Sequence, residues 1–315
     1  MNREEVWKNF DLGRELDISG AFVYNGLRRF HEMKNLDNPD DIFEVLYGLS
    51  VGLERILKVA LVFLEHSDGV NQAEFEASLI THNHVELLRR VRQRQDLPLG
   101  DVHVALLELL RSFYKSSRYD RFMLTPGWNP DKEKRALHDF LEEQLDVSLE
   151  PPFDLFPVKN EQRYRQFVGK TALKIARELF GIISAEARNL SLYTAELRPS
   201  SKSQWVFLGN QVDFQNEDVL LKELILFFMN TEEDAGLIRM MRAIEPLDFD
   251  PALAIDYFEC FKSPELQETA LDELHELYVD VEDAAGRLEL IGLIGNHDVM
   301  FPDEEGWGLD EADVS

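Results

Sequence analysis

The side chains best suited to chemistry in this 315-residue chain are eight histidines, one cysteine, a surplus of carboxylates and two clusters of arginine and lysine. The nearest imidazoles are His82 and His84, in Thr81-His82-Asn83-His84. Two residues apart on a helix they point about 200° from each other, which suits a shared metal ion poorly. The plainer reading is a helix start, with Thr81 as N-cap and polar residues in the first turn. No HExxH, paired CxxC or EF-hand loop occurs, so no metal is expected. Gly169-Lys170-Thr171 shares three letters with a phosphate-binding loop, but Tyr164 stands where that loop needs glycine. No dinucleotide fingerprint occurs either, and no cofactor is expected. The lone thiol, Cys260, lies in the apolar run Tyr257-Phe258-Glu259-Cys260-Phe261 without a local base, and reads as a buried structural residue. Carboxylate pairs such as Glu142/Glu143 and Glu232/Glu233 fall in polar stretches, and no general acid is assigned.

The cations are clustered. Arg89, Arg90, Arg92 and Arg94 close one predicted helix. Arg111, Lys115, Arg118 and Arg121 close the next, interleaved with Phe113, Tyr114, Tyr119 and Phe122. Arg111, Lys115 and Arg118 stand at i, i+4 and i+7 and share a helix face. A cationic face with aromatic neighbours is what single-stranded RNA prefers. Cations in a last helical turn also complement the helix dipole, and both readings stand. The candidates for nucleic-acid contact are therefore Arg89, Arg90, Arg111, Lys115, Arg118, Tyr119 and Arg121.

These residues must be positioned by helices, because helical periodicity dominates. Over 41–65 the apolar residues Ile42, Val45, Leu46, Leu49, Leu53, Ile56, Leu57, Ala60, Leu61 and Leu64 form a wide stripe, with Asp40 as the expected N-cap. A helix around Phe22–Phe30 precedes it, and further helices are expected over about 72–92, 101–119 and 132–144. Three prolines within Pro151–Pro157 mark the expected domain boundary. A long helix over about 161–196 follows, able to brace both halves of the molecule. Gln204–Leu208 with Val212–Phe214 suggests one small β-hairpin. Further helices are expected over about 217–230, 232–244, 251–262 and 264–294. The reading is all-α: a bundle over 1–150, a helical domain over 151–300 and an acidic tail over 301–315.

Bulk composition narrows the function. The net charge is −27, which argues against a simple duplex-DNA coat. Residues 1–212 carry 28 basic and 32 acidic groups, whereas 213–315 carry 5 and 28, a net of −23. One cysteine excludes an intramolecular disulfide and fits a reducing compartment. The charged N-terminus lacks a signal-peptide apolar region, and the longest apolar run, Val59–Leu64, is far short of the ~20 residues of a membrane span. A cytoplasmic protein without membrane contact is expected.

Three segments resemble HEPN-type helical domains. Leu46-Tyr47-Gly48-Leu49-Ser50-Val51-Gly52-Leu53-Glu54-Arg55-Ile56-Leu57-Lys58 resembles their second helix, with its "GLER-LLK"-like segment. Thr81-His82-Asn83-His84-Val85-Glu86-Leu87-Leu88 resembles the "H-[DN]-x-x-x-L-L" start of the next helix, and Ser117-Arg118-Tyr119-Asp120 the "tRYp[DE]" element after the fourth. Together they cover about residues 20–125, in order. The resemblance implies an all-α bundle, often dimeric, of bacterial toxin–antitoxin and phage-defence systems, in which many members cut RNA. The family's R-x4–6-H ribonuclease signature is absent, since no histidine here has an arginine at the required offset.

The expectation is therefore an RNA-associated protein, non-cleaving or atypical, with Glu54, Arg55, His82 and His84 as structural or functional candidates. An inter-helix ion pair is the structural role open to Glu54 and Arg55. The alternative expectation is an acidic interaction or nucleic-acid-mimicking protein that binds a basic partner through its last third.

Overall fold

The computed structural model describes residues 3–67, 69–117, 131–149, 157–192, 194–199, 201–209, 214–233, 236–261, 268–296 and 298–299. Among them the chain is all-α, and the one β-type pairing is an isolated bridge between Asn35 and Lys159. The chain forms two compact units, Met1–Glu217 and Asp218–Ser315.

In the first unit, α1 (Arg3–Val6) and a π-helical turn (Trp7–Asp11) lead into α2 (Leu12–Glu32), which packs antiparallel on α3 (Pro39–Glu65). Glycines bring these two helices to backbone contact. A Cβ on Gly48 would lie 3.0 Å from the Cα of Gly26, and one on Gly52 would lie 2.9 Å from the backbone N of Val23. Ser19 Oγ uses this proximity to donate to the Gly52 carbonyl at 2.7 Å. α3 is buried well beyond its predicted stripe, at Val59, Val62 and Phe63 as well, as befits a central helix. Its N-cap is Asn38, whose side chain accepts from Asp40 N, and not Asp40. Pro39 takes the first helical position, where a missing N–H is harmless.

The expected helix over 72–92 is two, α4 (Gln72–Leu79) and α5 (His84–Arg94). Asn83 caps the second by accepting from Glu86 N, while Thr81 Oγ1 instead accepts from Asn83 N. The break leaves His82 outside both helices. α6 (Asp101–Ser112) widens into a π-helical turn at Phe113–Ser117, and α7 (Lys132–Leu145) follows.

The long helix α8 (Gln162–Asn189) stops seven residues short of the expected end. The chain reverses through Ser191 in the left-handed region, where Leu192 N donates to Ala187 O at 2.8 Å and buries its side chain. The expected division at 150/151 falls inside the first compact unit. Ala172, Ile175, Ala176, Leu179 and Ile183 enter the same core as α2 and α3, so α8 belongs to the first unit. Asn160, itself buried, joins α8 to the turn after α2 by donating to Phe30 O (2.6 Å) and Met33 O (3.1 Å). The expected hairpin near 204–214 is also corrected. Lys202–Leu208 is a helix, α9, capped by Ser201, with Val206 and Phe207 buried on one face. A short apolar run reads alike as strand or helix until its packing is known.

The second unit is entered through α10 (Gln215–Asn230) and contains α11 (Gly236–Ala243), α12 (Ala254–Cys260), α13 (Glu268–Val279) and α14 (Ala284–Gly292). The expected helix over 264–294 is thus interrupted, and Asp283 caps its second part by accepting from Gly286 N. Tyr257 and Phe249 meet at 5.3 Å, and Glu273 accepts from Asp250 N at 2.8 Å. No described residue from 218 onward is fully buried. Cys260 is accordingly half-buried, and not the core thiol expected. The prolines of 151–156 and the tail 301–315 lie outside the described residues.

Two glycines test this reading. Gly52→Ala should destabilise the first unit by about 1–3 kcal/mol by forcing α2 and α3 apart. Gly181→Ala, in α8 with open space around its Cβ position, should instead stabilise by about 0.5–1 kcal/mol. Urea unfolding followed by circular dichroism checks both.

Candidate functional site

Glu54 lies on the central helix with its side chain only 10% exposed. A carboxylate so placed needs partners, because an unpaired buried charge is costly. It has two. Lys58, one turn on, donates to Oε1 at 2.6 Å, and His82 Nδ1–H donates to Oε2 at 2.9 Å. With Nδ1 committed to the carboxylate, Nε2 of the neutral ring carries the lone pair. The imidazole is half-exposed and lies against Tyr114, ring centroids 4.3 Å apart. Arg55, the next residue on α3, pairs with Glu15 of α2. That is an inter-helix ion pair, the structural role open to it, whereas Glu54 turns to its own helix and to His82.

These groups line a cleft of about 320 Å³, closed by Trp7, Leu12 and Leu79. Its size is that of a small-ligand or single-nucleotide site. It combines a carboxylate-oriented imidazole, two cations and an aromatic ring. Such a set can hold a phosphate, stack a base and move a proton at His82 Nε2. A larger hollow of about 640 Å³ adjoins it across Trp7. There Glu4 takes Lys8 at 2.6 Å and His66 Nδ1 at 3.0 Å, and His66 Nε2 meets Gln72 at 2.6 Å. Lys8 holds the Glu4 carboxyl below its usual range. Both ring nitrogens of His66 are thus engaged, so the Glu54–His82 cleft is the better candidate.

His84 has a different role. It is fully buried, and its Nε2–H donates to Ser50 O at 2.9 Å, fastening the start of α5 to α3. Nδ1 is buried without a hydrogen-bond partner. Burial holds this imidazole's pKa below its ordinary value. The two imidazoles of the His-Asn-His run therefore face opposite ways, one into the cleft and one into the core. Among the described residues no group of three or more His, Cys, Asp or Glu side chains is placed to hold a metal ion.

The arginines are mostly paired. Arg89 binds Glu86 of its own helix at 2.6 and 2.8 Å. Arg90 reaches Glu65 of α3 at 2.5 Å and Ser78 O at 3.0 Å, tying α5 to α3 and to the end of α4. Arg111 pairs with Glu108 at 2.6 Å. Lys115 is exposed, but it lies in the π-helical turn, whose wider i→i+5 spacing breaks the expected alignment with Arg111. Arg118, Tyr119 and Arg121 lie outside the described residues. The same π turn sends Phe113 into the core against Phe43 and Tyr114 into the cleft.

The structure thus gathers Glu54, Arg55 and His82 at one place and leaves Arg89, Arg90 and Arg111 elsewhere. Lys58 was legible as the i+4 partner of Glu54. Nothing in the local sequence marks Trp7 or Glu15, which reach the cleft only through the α2–α3 packing. No protein-family model, curated protein or solved structure matches the chain.

His84 makes stability depend on pH. Burial makes the folded imidazole harder to protonate than the unfolded one, whose ordinary pKa is about 6.5. Its contribution is complete above that value and is lost as pH falls below it, at up to about 1.4 kcal/mol per pH unit. His103, lowered chiefly by burial, acts in the same direction. His84→Gln, whose amide can still donate to Ser50, should reduce the stability difference between about pH 7.5 and about pH 5.5. Urea unfolding of both proteins at the two pH values measures it.

Proposed function

We propose that the protein is an RNA-associated, HEPN-like component of a bacterial defence or toxin–antitoxin type system, and that the Glu54–His82 cleft is where RNA is engaged. One observation carries the reading. Two segments that resemble the family, on α3 and at the start of α5, converge on a single cleft that joins an oriented imidazole to Lys58, Arg55 and Tyr114.

In this reading Tyr114 stacks a base, Lys58 and Arg55 face a phosphate, and His82 meets the sugar–phosphate linkage. The cations already face carboxylates, so electrostatic attraction is modest and stacking supplies much of the affinity. Without the arginine of the R-x4–6-H signature, transition-state charge on phosphate has no dedicated partner. Binding without efficient cleavage follows. The arginines of α5 serve mainly to hold helices together.

A fluorescent single-stranded RNA followed by anisotropy tests the proposal. Tyr114→Ala should weaken binding about tenfold, since base–aromatic stacking is worth about 1–3 kcal/mol. Lys58→Ala should weaken it several-fold and flatten its salt dependence. Arg89→Ala, on a guanidinium held by Glu86, should leave it within about twofold. Absence of binding, or equal losses in all three variants, would overturn the assignment.

A further inference from the structure

The second unit presents an apolar surface that its described helices leave uncovered. α10 carries Val219, Leu220, Leu221, Leu224, Ile225, Leu226, Phe227, Phe228 and Met229 among its last twelve residues. A helix this apolar normally lies in a core. Here Leu220 is 57% exposed, Leu224 43%, Phe227 47% and Phe228 44%, and among the described elements of its unit none packs closely along it. Leu220, Leu224 and Phe227, at i, i+4 and i+7, form one continuous stripe. An uncovered apolar stripe of this length is characteristic of a protein-binding surface.

The charge around the stripe selects the occupant. Residues 218–315 hold 26 acidic and 5 basic side chains. A second copy of this unit would bring like charge against like, and nucleic acid or an anionic membrane would be repelled for the same reason. A partner must offer apolar side chains to the stripe and positive charge to its surroundings. An amphipathic helix with Lys and Arg along its borders offers both.

We infer that α10 is the docking surface for a basic amphipathic helix of another protein, its apolar face against Leu220, Leu224 and Phe227 and its cations toward the acidic unit. At 16 residues, α10 spans roughly 24 Å, enough for about four turns of a partner. This interface is independent of the Glu54–His82 cleft, so either reading can fail alone.

The test uses the full-length chain and two labelled peptides of about 16 residues with identical Leu and Lys content. One is patterned as an amphipathic helix, and the other is scrambled so that no apolar face forms. The patterned peptide should bind at least about tenfold more tightly. Leu224→Asp should remove that advantage, and Glu223→Gln, which leaves the apolar stripe intact, should weaken both peptides slightly. Circular dichroism should show both variants folded as the parent, because neither side chain is buried. Equal affinity for the two peptides would reduce the effect to charge and overturn the inference. So would binding of the patterned peptide unaffected by Leu224→Asp. A dimer in sedimentation that dissociates on Leu224→Asp would assign the surface to a second copy instead. Tyr114→Ala should leave peptide affinity unchanged.

Discussion

The first unit depends on the contact between α2 and α3, made at glycine. Gly26, Gly48 and Gly52 let two helices approach until backbone meets backbone, and Ser19 bonds across to the Gly52 carbonyl. A Cβ would clash outright at Gly52 and press tightly on the facing backbone at Gly26 and Gly48, so the geometry tolerates little variation. The rest of the unit is arranged around that pair. α5 is fastened to α3 through His84, and α9 rests on α2 through Ser203, whose hydroxyl and N–H both donate to Asp17. α8 closes the core from the other side and is held to the α2–α3 turn by Asn160.

Burying most of α3 leaves Glu54 in a nearly closed position, and the candidate site follows from satisfying it. Lys58 supplies one partner from the same helix. The other requires His82, which reaches Glu54 because the chain breaks between α4 and α5. Had residues 72–94 continued as one helix, His82 would have been carried along its surface. Asn83, the cap of α5, is therefore as important to the site as any residue that touches it. Tyr114 likewise enters the cleft from a π-helical turn, a local widening often found where function demands a displaced side chain.

The two units differ in what each buries. The first closes around a continuous apolar core. The second has helices with abundant apolar side chains and none fully buried among those described, together with almost the whole charge excess of the chain. Self-repulsion among many carboxylates opposes compaction. Strong negative charge and exposed apolar side chains are the two features on which the proposed docking of a basic amphipathic helix rests.

The sequence by itself determined the all-α class, the central stripe of α3 and the concentration of acid after residue 213. These are local or compositional properties, carried by 3.6-residue periodicity and by charge. Tertiary structure alone decided that Lys202–Leu208 is a helix, that α8 belongs to the first unit, and that Arg90 faces Glu65 of α3. It also decided that Glu54, His82 and Tyr114 share a cleft with Trp7 and Glu15. Each of these rests on contacts between residues far apart in the chain. A short apolar run, a boundary drawn at prolines or an arginine-rich helix end has no fixed meaning until its neighbours are in place. Periodicity reports which face of a helix is buried, and packing decides against what.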